Sequence, residues 1–139
     1  MMQTSVDYTL FFRELSGIPD NPDQLQKSFY KPADEELLKA WSDWLTNWKS
    51  RLAENANPSL SGISHQMKQV NPKYILREWL LAPAYQNASQ GDYTTIRDLQ
   101  DVIQQPYAEQ SKDHEERYYR LRPAELSQLG GISHMSCSS

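Results

Sequence analysis

Residues 70–81 have the sequence VNPKYILREWLL, and the pattern of this stretch decides the fold class. Asn followed by Pro favours the start of a helix, because the Asn side chain caps backbone N–H groups and Pro at the first helical position loses no hydrogen bond. Ile75 and Trp79 then share one helical face, and further apolar residues cover most other sides. Such a helix is typical of a protein centre. We therefore expect a central helix over residues 72–90, kinked near Pro83, whose ring disfavours helical geometry in the residue before it.

The sequence on both sides of this stretch predicts more helices and no strands. Apolar residues recur at helical spacing from about residue 6 to residue 16, from Pro32 to the early fifties, and again after Asp92. We expect packed helix faces to bury the four tryptophans, Trp41, Trp44, Trp48 and Trp79. The predicted fold class is all-α, with about five helices. Residues 1–106 would form a helical domain and residues 107–139 a long irregular C-terminal arm, because the helical pattern fades after residue 106.

Composition and charge exclude several classes of function. The chain has 139 residues, a net charge of -4 and a mean hydropathy of -0.77. A net negative charge argues against nucleic-acid binding, which needs a basic surface. No apolar run reaches the length of a membrane span, and the N-terminus lacks the pattern of a signal peptide. The single cysteine, Cys137, excludes an internal disulfide framework and suits a reducing compartment. We therefore expect a cytoplasmic protein with no nucleic-acid or membrane partner.

No set of residues in the sequence builds a self-contained active site. The glycine pair at residues 130 and 131 lacks the spacing of a phosphate-binding loop. His134 and Cys137 are three residues apart, but two side chains on a tail do not make a metal site. We therefore expect no catalytic, metal-binding or cofactor-binding residue in this chain. Two readings of Cys137 stay open: an accessible thiol with a redox role, and an unreactive tail residue.

Several short motifs follow one another in a characteristic order. They include Asp7-Tyr8-Thr9, Phe12-Arg13, Leu15-Ser16, Val70-Asn71-Pro72, Ile75-Leu76-Arg77, Gly91-Asp92, Arg122-Pro123 and the terminal Ser136-Cys137-Ser138-Ser139. In this order they resemble the C-terminal part of the selenoprotein O family, the YdiU proteins of bacteria, over nearly the whole chain. Residues 84–85 and 124–126 depart from the family pattern.

The resemblance implies the C-terminal portion of a protein-kinase-like fold. The family members are pseudokinases that transfer AMP from ATP to protein Ser, Thr or Tyr hydroxyls with Mg²⁺ or Mn²⁺. Their nucleotide loop, catalytic lysine and metal-binding acids lie upstream of the matched part, so this chain alone would hold no cofactor and be inactive. Cys137 matches the terminal cysteine or selenocysteine of the family, which implies a redox role with a partner thiol in the missing part.

The sequence therefore supports two hypotheses from different classes. In the first, the chain is a C-terminal helical fragment of a bacterial protein adenylyltransferase. Its partners would be the missing N-terminal kinase-like part, which it supports, and the protein substrates of the whole enzyme. In the second, the chain is a stand-alone helical domain without catalytic activity, which binds another protein through its Trp and Tyr surface.

Overall fold

The computed structural model describes residues 5–54 and 59–128, and every element in these ranges is helical. The α-helices are α1 (Tyr8–Leu15), α2 (Glu35–Glu54), α3 (Leu60–Val70), α4 (Glu78–Ser89), α5 (Thr94–Gln104) and α6 (Lys112–Tyr118). Two 3₁₀-helices lie at Pro22–Ser28 and Ala124–Gln128. The all-α prediction is confirmed. Within the described ranges, no helix is long and apolar enough to cross a membrane.

The chain divides into two compact units, residues 1–73 and residues 74–139. We call them the first and the second unit. The sequence had predicted a different division, into residues 1–106 and an arm of residues 107–139. The first unit contains α1 to α3, and the second contains α4 to α6.

Asp7 fixes the start of the first unit. Its carboxylate accepts a hydrogen bond from the backbone N–H of Leu10 (3.0 Å), which is an N-cap of α1, and another from the hydroxyl of Tyr30 (3.1 Å). Its backbone N–H donates to the carbonyl of Ser28 (2.8 Å). Asp7 is buried, and these bonds satisfy its polar atoms. One residue thereby joins the start of α1 to the end of the first 3₁₀-helix.

Aromatic and aliphatic side chains from three elements form the core of the first unit. Helix α1, the first 3₁₀-helix and α2 each contribute to it, with Phe11, Leu15, Leu25, Phe29, Trp41 and Leu45. The α2 helix was predicted from its apolar stripe, and the centre of that stripe, Trp41 and Leu45, is buried as expected. The prediction for Trp44 was wrong, because this side chain remains 41% exposed, and Trp48 is only half-buried.

The predicted start of the central helix was also wrong. Asn71 is the C-cap of α3, and its backbone N–H donates to the carbonyl of Met67 (2.9 Å). Residues 72–77 are not helical, and α4 begins only at Glu78. The helix then runs through Pro83 without a restart. Asn followed by Pro therefore ends one helix here instead of starting another.

The second unit buries residues from α4, α5 and the segments around α6. Its buried side chains include Tyr74, Trp79, Leu80, Ala84, Leu99, Val102, Tyr118 and Tyr119. Gly91 stops α4 as predicted, with a positive φ of 89° that suits glycine. The charged residues 112–118, read from the sequence as part of an irregular arm, form α6. Ser111 caps this helix by accepting from the N–H of His114 (3.1 Å).

Candidate functional site

Arg13 is a buried cation of the first unit. Its side chain is only 4% exposed, although arginine is seldom buried without partners. Its Nη1 donates to the carbonyls of Lys68 and Asn71, at 3.0 Å each. Both carbonyls lie at the C-terminus of α3, where carbonyl groups lack helical partners and the helix dipole favours a positive charge. Arg13 therefore caps α3 from α1.

Small polar side chains extend this contact between α1 and α3. The Ser16 hydroxyl, which is fully buried, donates to the carbonyl of Phe12 (2.6 Å) and accepts from Nδ2 of Asn71 (3.0 Å). The Ser64 hydroxyl donates to the carbonyl of Ser16 (2.6 Å). We call Arg13, Ser16, Ser64 and Asn71 the polar junction. The polar junction gives a structural role to three of the sequence motifs, because each supplies a buried or partly buried group with a hydrogen-bond partner. These motifs are Phe12-Arg13, Leu15-Ser16 and Val70-Asn71-Pro72.

A second polar cluster lies in the second unit, around Asp98 of α5. One carboxylate oxygen accepts from the Tyr118 hydroxyl and from Nη2 of Arg117. The other lies 3.3 Å from Nε2 of His114, whose Nδ1 is 3.0 Å from Oε1 of Gln110. The Nε2 of Gln110 donates to the carbonyls of Val102 and Gln105, so its amide oxygen faces the histidine. This Asp98 cluster joins α5 to α6.

The electrostatics of the Asp98 cluster suit structure better than catalysis. Burial acts to raise the pKa of Asp98, but the hydrogen bond from Tyr118 and the charges of Arg117 and His114 outweigh it and hold that pKa below its usual value. Burial, and then the bond to Asp98, raises the pKa of Tyr118 to about 12. A tyrosine of this kind keeps its proton at neutral pH. The carboxylate is already engaged by three side chains, so it has little capacity left to act as a base.

A pocket of about 320 Å³ lies beside Trp79 in the second unit. Its lining is mostly apolar, and it comes from α4 and the second 3₁₀-helix region, with Trp79, Ala82, Pro83 and Leu126 beside Glu78, Gln86 and Arg122. The guanidinium carbon of Arg120 lies 5.1 Å from the centre of a Trp79 ring, a cation–π distance. Two buried donors, Nε1 of Trp79 and Nε of Arg122, have no hydrogen-bond partner among the residues that the structure describes. Neither atom is accessible to solvent, so the exposed pocket wall offers mainly carbon surface.

The described residues contain no metal centre. Within residues 5–54 and 59–128, no three His, Cys, Asp or Glu side chains lie close enough together to hold a metal ion. Cys137, the only site residue predicted from the sequence, lies outside the described residues, and so does His134. His65 is exposed on α3. Sequence reasoning gave His114 no role and predicted no helix around it, although the Ser111 cap and the acids in the first turn of α6 could have indicated one.

Comparison with known proteins gives consistent matches along the chain. The family model described as "Protein adenylyltransferase SelO" matches residues 1–104. A relative named protein nucleotidyltransferase YdiU, from Tolumonas auensis, is 38% identical over all of this chain and 27% of its own length. The same name belongs to relatives from Methylobacillus flagellatus, 38% identical over all of this chain, and Vibrio parahaemolyticus, 35% identical over 99% of it. Each match again covers 27% of the relative.

These matches and the helical fold place the chain in one class, that of helical chains related to part of a protein nucleotidyltransferase. The family model covers well over half of the chain, which is enough to assign its family. The chain belongs to the SelO family of protein adenylyltransferases. It spans about a quarter of the length of the curated relatives that it matches.

Proposed function

We propose that this chain is the C-terminal helical part of a protein adenylyltransferase that transfers AMP from ATP to protein hydroxyl groups. One observation carries the proposal: nearly the whole chain matches relatives that are named protein nucleotidyltransferases, but it covers only 27% of their length. ATP, Mg²⁺ or Mn²⁺, and the protein substrate would bind the other part of such a polypeptide. The role of this chain would be to support that catalytic part.

The contacts within the two units agree with a supporting role. Nucleotidyl transfer needs phosphate-binding groups and metal ligands that converge on one place. The described residues offer instead the polar junction and the Asp98 cluster, whose polar atoms are mostly engaged with one another. Both hold helices together. Two helical units that are each held together in this way suit a support for a separate catalytic site.

The redox role of Cys137 belongs to the same proposal. In the full-length protein, its thiol would form a disulfide with a cysteine of the catalytic part, and a two-electron oxidant such as a disulfide would be reduced in the exchange. This chain has no second cysteine, so an internal disulfide is impossible in it alone. Comparison of full-length protein with its Cys137→Ser variant, each with and without reductant, tests this role. An identical response of both proteins to reductant contradicts it.

An assay of AMP transfer tests the main proposal. Full-length protein and the 139-residue chain would be incubated with protein substrate, Mg²⁺ and ATP labelled at the α-phosphate. We expect label on protein only with the full-length polypeptide. We also expect calorimetry to detect no micromolar binding of ATP–Mg²⁺ by the 139-residue chain. Micromolar binding or AMP transfer by this chain would contradict the proposal.

The exposed aromatic side chains favour one second candidate, a stand-alone protein-interaction domain. Tyr8 is 71% exposed and Trp44 is 41% exposed, so both offer aromatic ring surface that a partner could cover. The reading frame distinguishes the two candidates, because only the first needs a kinase-like segment upstream of residue 1.

A further inference from the structure

We propose that one aromatic surface of the first unit is the docking site for the catalytic part of the full-length polypeptide. This inference rests on the proposed function and specifies which residues make the support. The surface, which we call the aromatic face, consists of Tyr8 and Phe12 on α1 and Trp44 and Trp48 on α2. The side chains of these four residues are not among those that form the polar junction, although the backbone carbonyl of Phe12 accepts from Ser16.

The rings of the aromatic face contact one another and the buried ring of Phe11. Tyr8 and Phe12 have ring centres 4.6 Å apart, and the rings of Trp44 and Trp48 are stacked at 6.0 Å with an angle of 5° between their planes. The buried Phe11 joins the two pairs, with its ring centre 5.3 Å from Phe12 and 6.4 Å from Trp44. The face is therefore one network of ring contacts that rests on the core. Little side-chain freedom remains to be lost when a partner binds it.

Tyr8 and Trp44 supply most of the exposed surface of this face. Phe12 and Trp48 pack against the core of the first unit, whereas Tyr8 and Trp44 keep much of their surface in solvent. Contiguous exposed aromatic surface marks interaction sites, and Trp and Tyr carry a large share of binding energy in protein interfaces. Beside the indole rings lies a hollow with polar residues, Asn47, Arg51 and Glu54, which resembles the polar rim of an interface.

Chain connectivity favours a partner within the same polypeptide. Almost three quarters of the length of the relatives lies outside the region that matches this chain. The resemblance to the C-terminal part of the family puts that length before residue 1. Tyr8, a member of the aromatic face, lies seven residues after residue 1, so the face is close in the chain to the point where this preceding length would join. A covalently linked partner has an effective concentration in the millimolar range, which a separate protein seldom reaches.

Hydroxyl-radical footprinting tests the docking site directly. The labelling rates of Tyr8 and Trp44 would be measured by mass spectrometry in the 139-residue chain and in the full-length protein, at equal radical dose. We expect both rates to fall by about fivefold or more in the full-length protein, because an interface excludes solvent from its central rings. Equal rates in the two proteins would overturn the inference. Protection that appears in the 139-residue chain as its concentration rises would also overturn it, because a second copy would then cover the face.

A pair of variants provides an independent measurement. Trp44→Glu places a charge in the aromatic face, whereas Val70→Glu places one at the end of α3, where the side chain is 72% exposed. We expect Trp44→Glu to lower the melting temperature of the full-length protein further than that of the 139-residue chain. Val70→Glu should affect both proteins equally. Equal shifts for Trp44→Glu in both proteins would contradict the docking site.

The two proposals fail in different ways. A full-length protein that transfers AMP but leaves Tyr8 and Trp44 fully labelled would remove the docking site and leave the proposed function intact. A reading frame without a kinase-like segment would remove both proposals.

Discussion

Replacement of Arg13 by Met is the sharpest test of how the first unit is held together. The substitution keeps most of the aliphatic stem but removes both hydrogen bonds to the carbonyls of Lys68 and Asn71. A hydrogen bond to a charged group contributes about 1.5–3 kcal/mol, and a favourable charge at a partly buried helix terminus contributes up to about 2 kcal/mol. The buried guanidinium also has a desolvation cost that Met avoids. We therefore expect a net loss of about 2–4 kcal/mol in the free energy of unfolding.

The assay is urea unfolding followed by tryptophan fluorescence, because three of the four tryptophans lie in the first unit. Hydrogen exchange should also become faster at the backbone N–H of Asn71, which bonds to the carbonyl of Met67 in the last turn of α3. Arg97→Met on the exposed surface of α5 is the matched control, with an expected change within about 0.5 kcal/mol. Equal effects of the two substitutions would refute the role of Arg13 as a cap.

Four further predictions concern the second unit. Trp79→Ala should reduce stability by about 3–5 kcal/mol in urea unfolding followed by circular dichroism, since Trp79 is only 8% exposed, and an unchanged midpoint would show that it is not a core residue. Because the pKa of Asp98 is lower in the folded state, its carboxylate stabilises the fold above the unfolded pKa near 4, and this effect is lost as pH falls; Asp98→Asn should therefore flatten the acid side of the stability–pH curve. Because the pKa of Tyr118 is raised to about 12, stability should be lost between about pH 10 and 12, and Tyr118→Phe should abolish this loss. Gly91→Ala should cost about 1 kcal/mol in the same unfolding assay because of its positive φ alone, since a Cβ would meet no atom within 4 Å, and a neutral result would count against the left-handed geometry.

The sequence allowed the helices with a clear apolar period to be predicted, but not the end of every helix. Helices α1, α2 and α5 were found because buried residues recur on one face. Asn71 and Pro72 were misread because Asn and Pro are as compatible with a helix end as with a helix start. What decides between the two is distant in sequence. Arg13, 58 residues before Asn71, takes up the carbonyls at the end of α3.

The exposure of Trp44 was missed because a periodic stripe has a centre and edges. Successive residues turn by about 100° in a helix, so Leu45 and Trp48 lie within about 40° of Trp41, while Trp44 lies about 60° away. Period alone does not show where the buried sector stops. The α6 helix was missed for a different reason. It has seven residues, mostly charged, and its stability depends on the Asp98 cluster, whose members are up to 20 residues apart.

The position of Asp7 has a practical consequence for anyone who trims this polypeptide or reads its digestion by a protease. A cut just after residue 7 would leave α1 without its cap, Tyr30 without its acceptor and the carbonyl of Ser28 without its donor. The cut would also destabilise α3, because α1 carries Arg13, which caps the C-terminus of that helix. A gene fragment designed to give a stable first unit should therefore include Asp7.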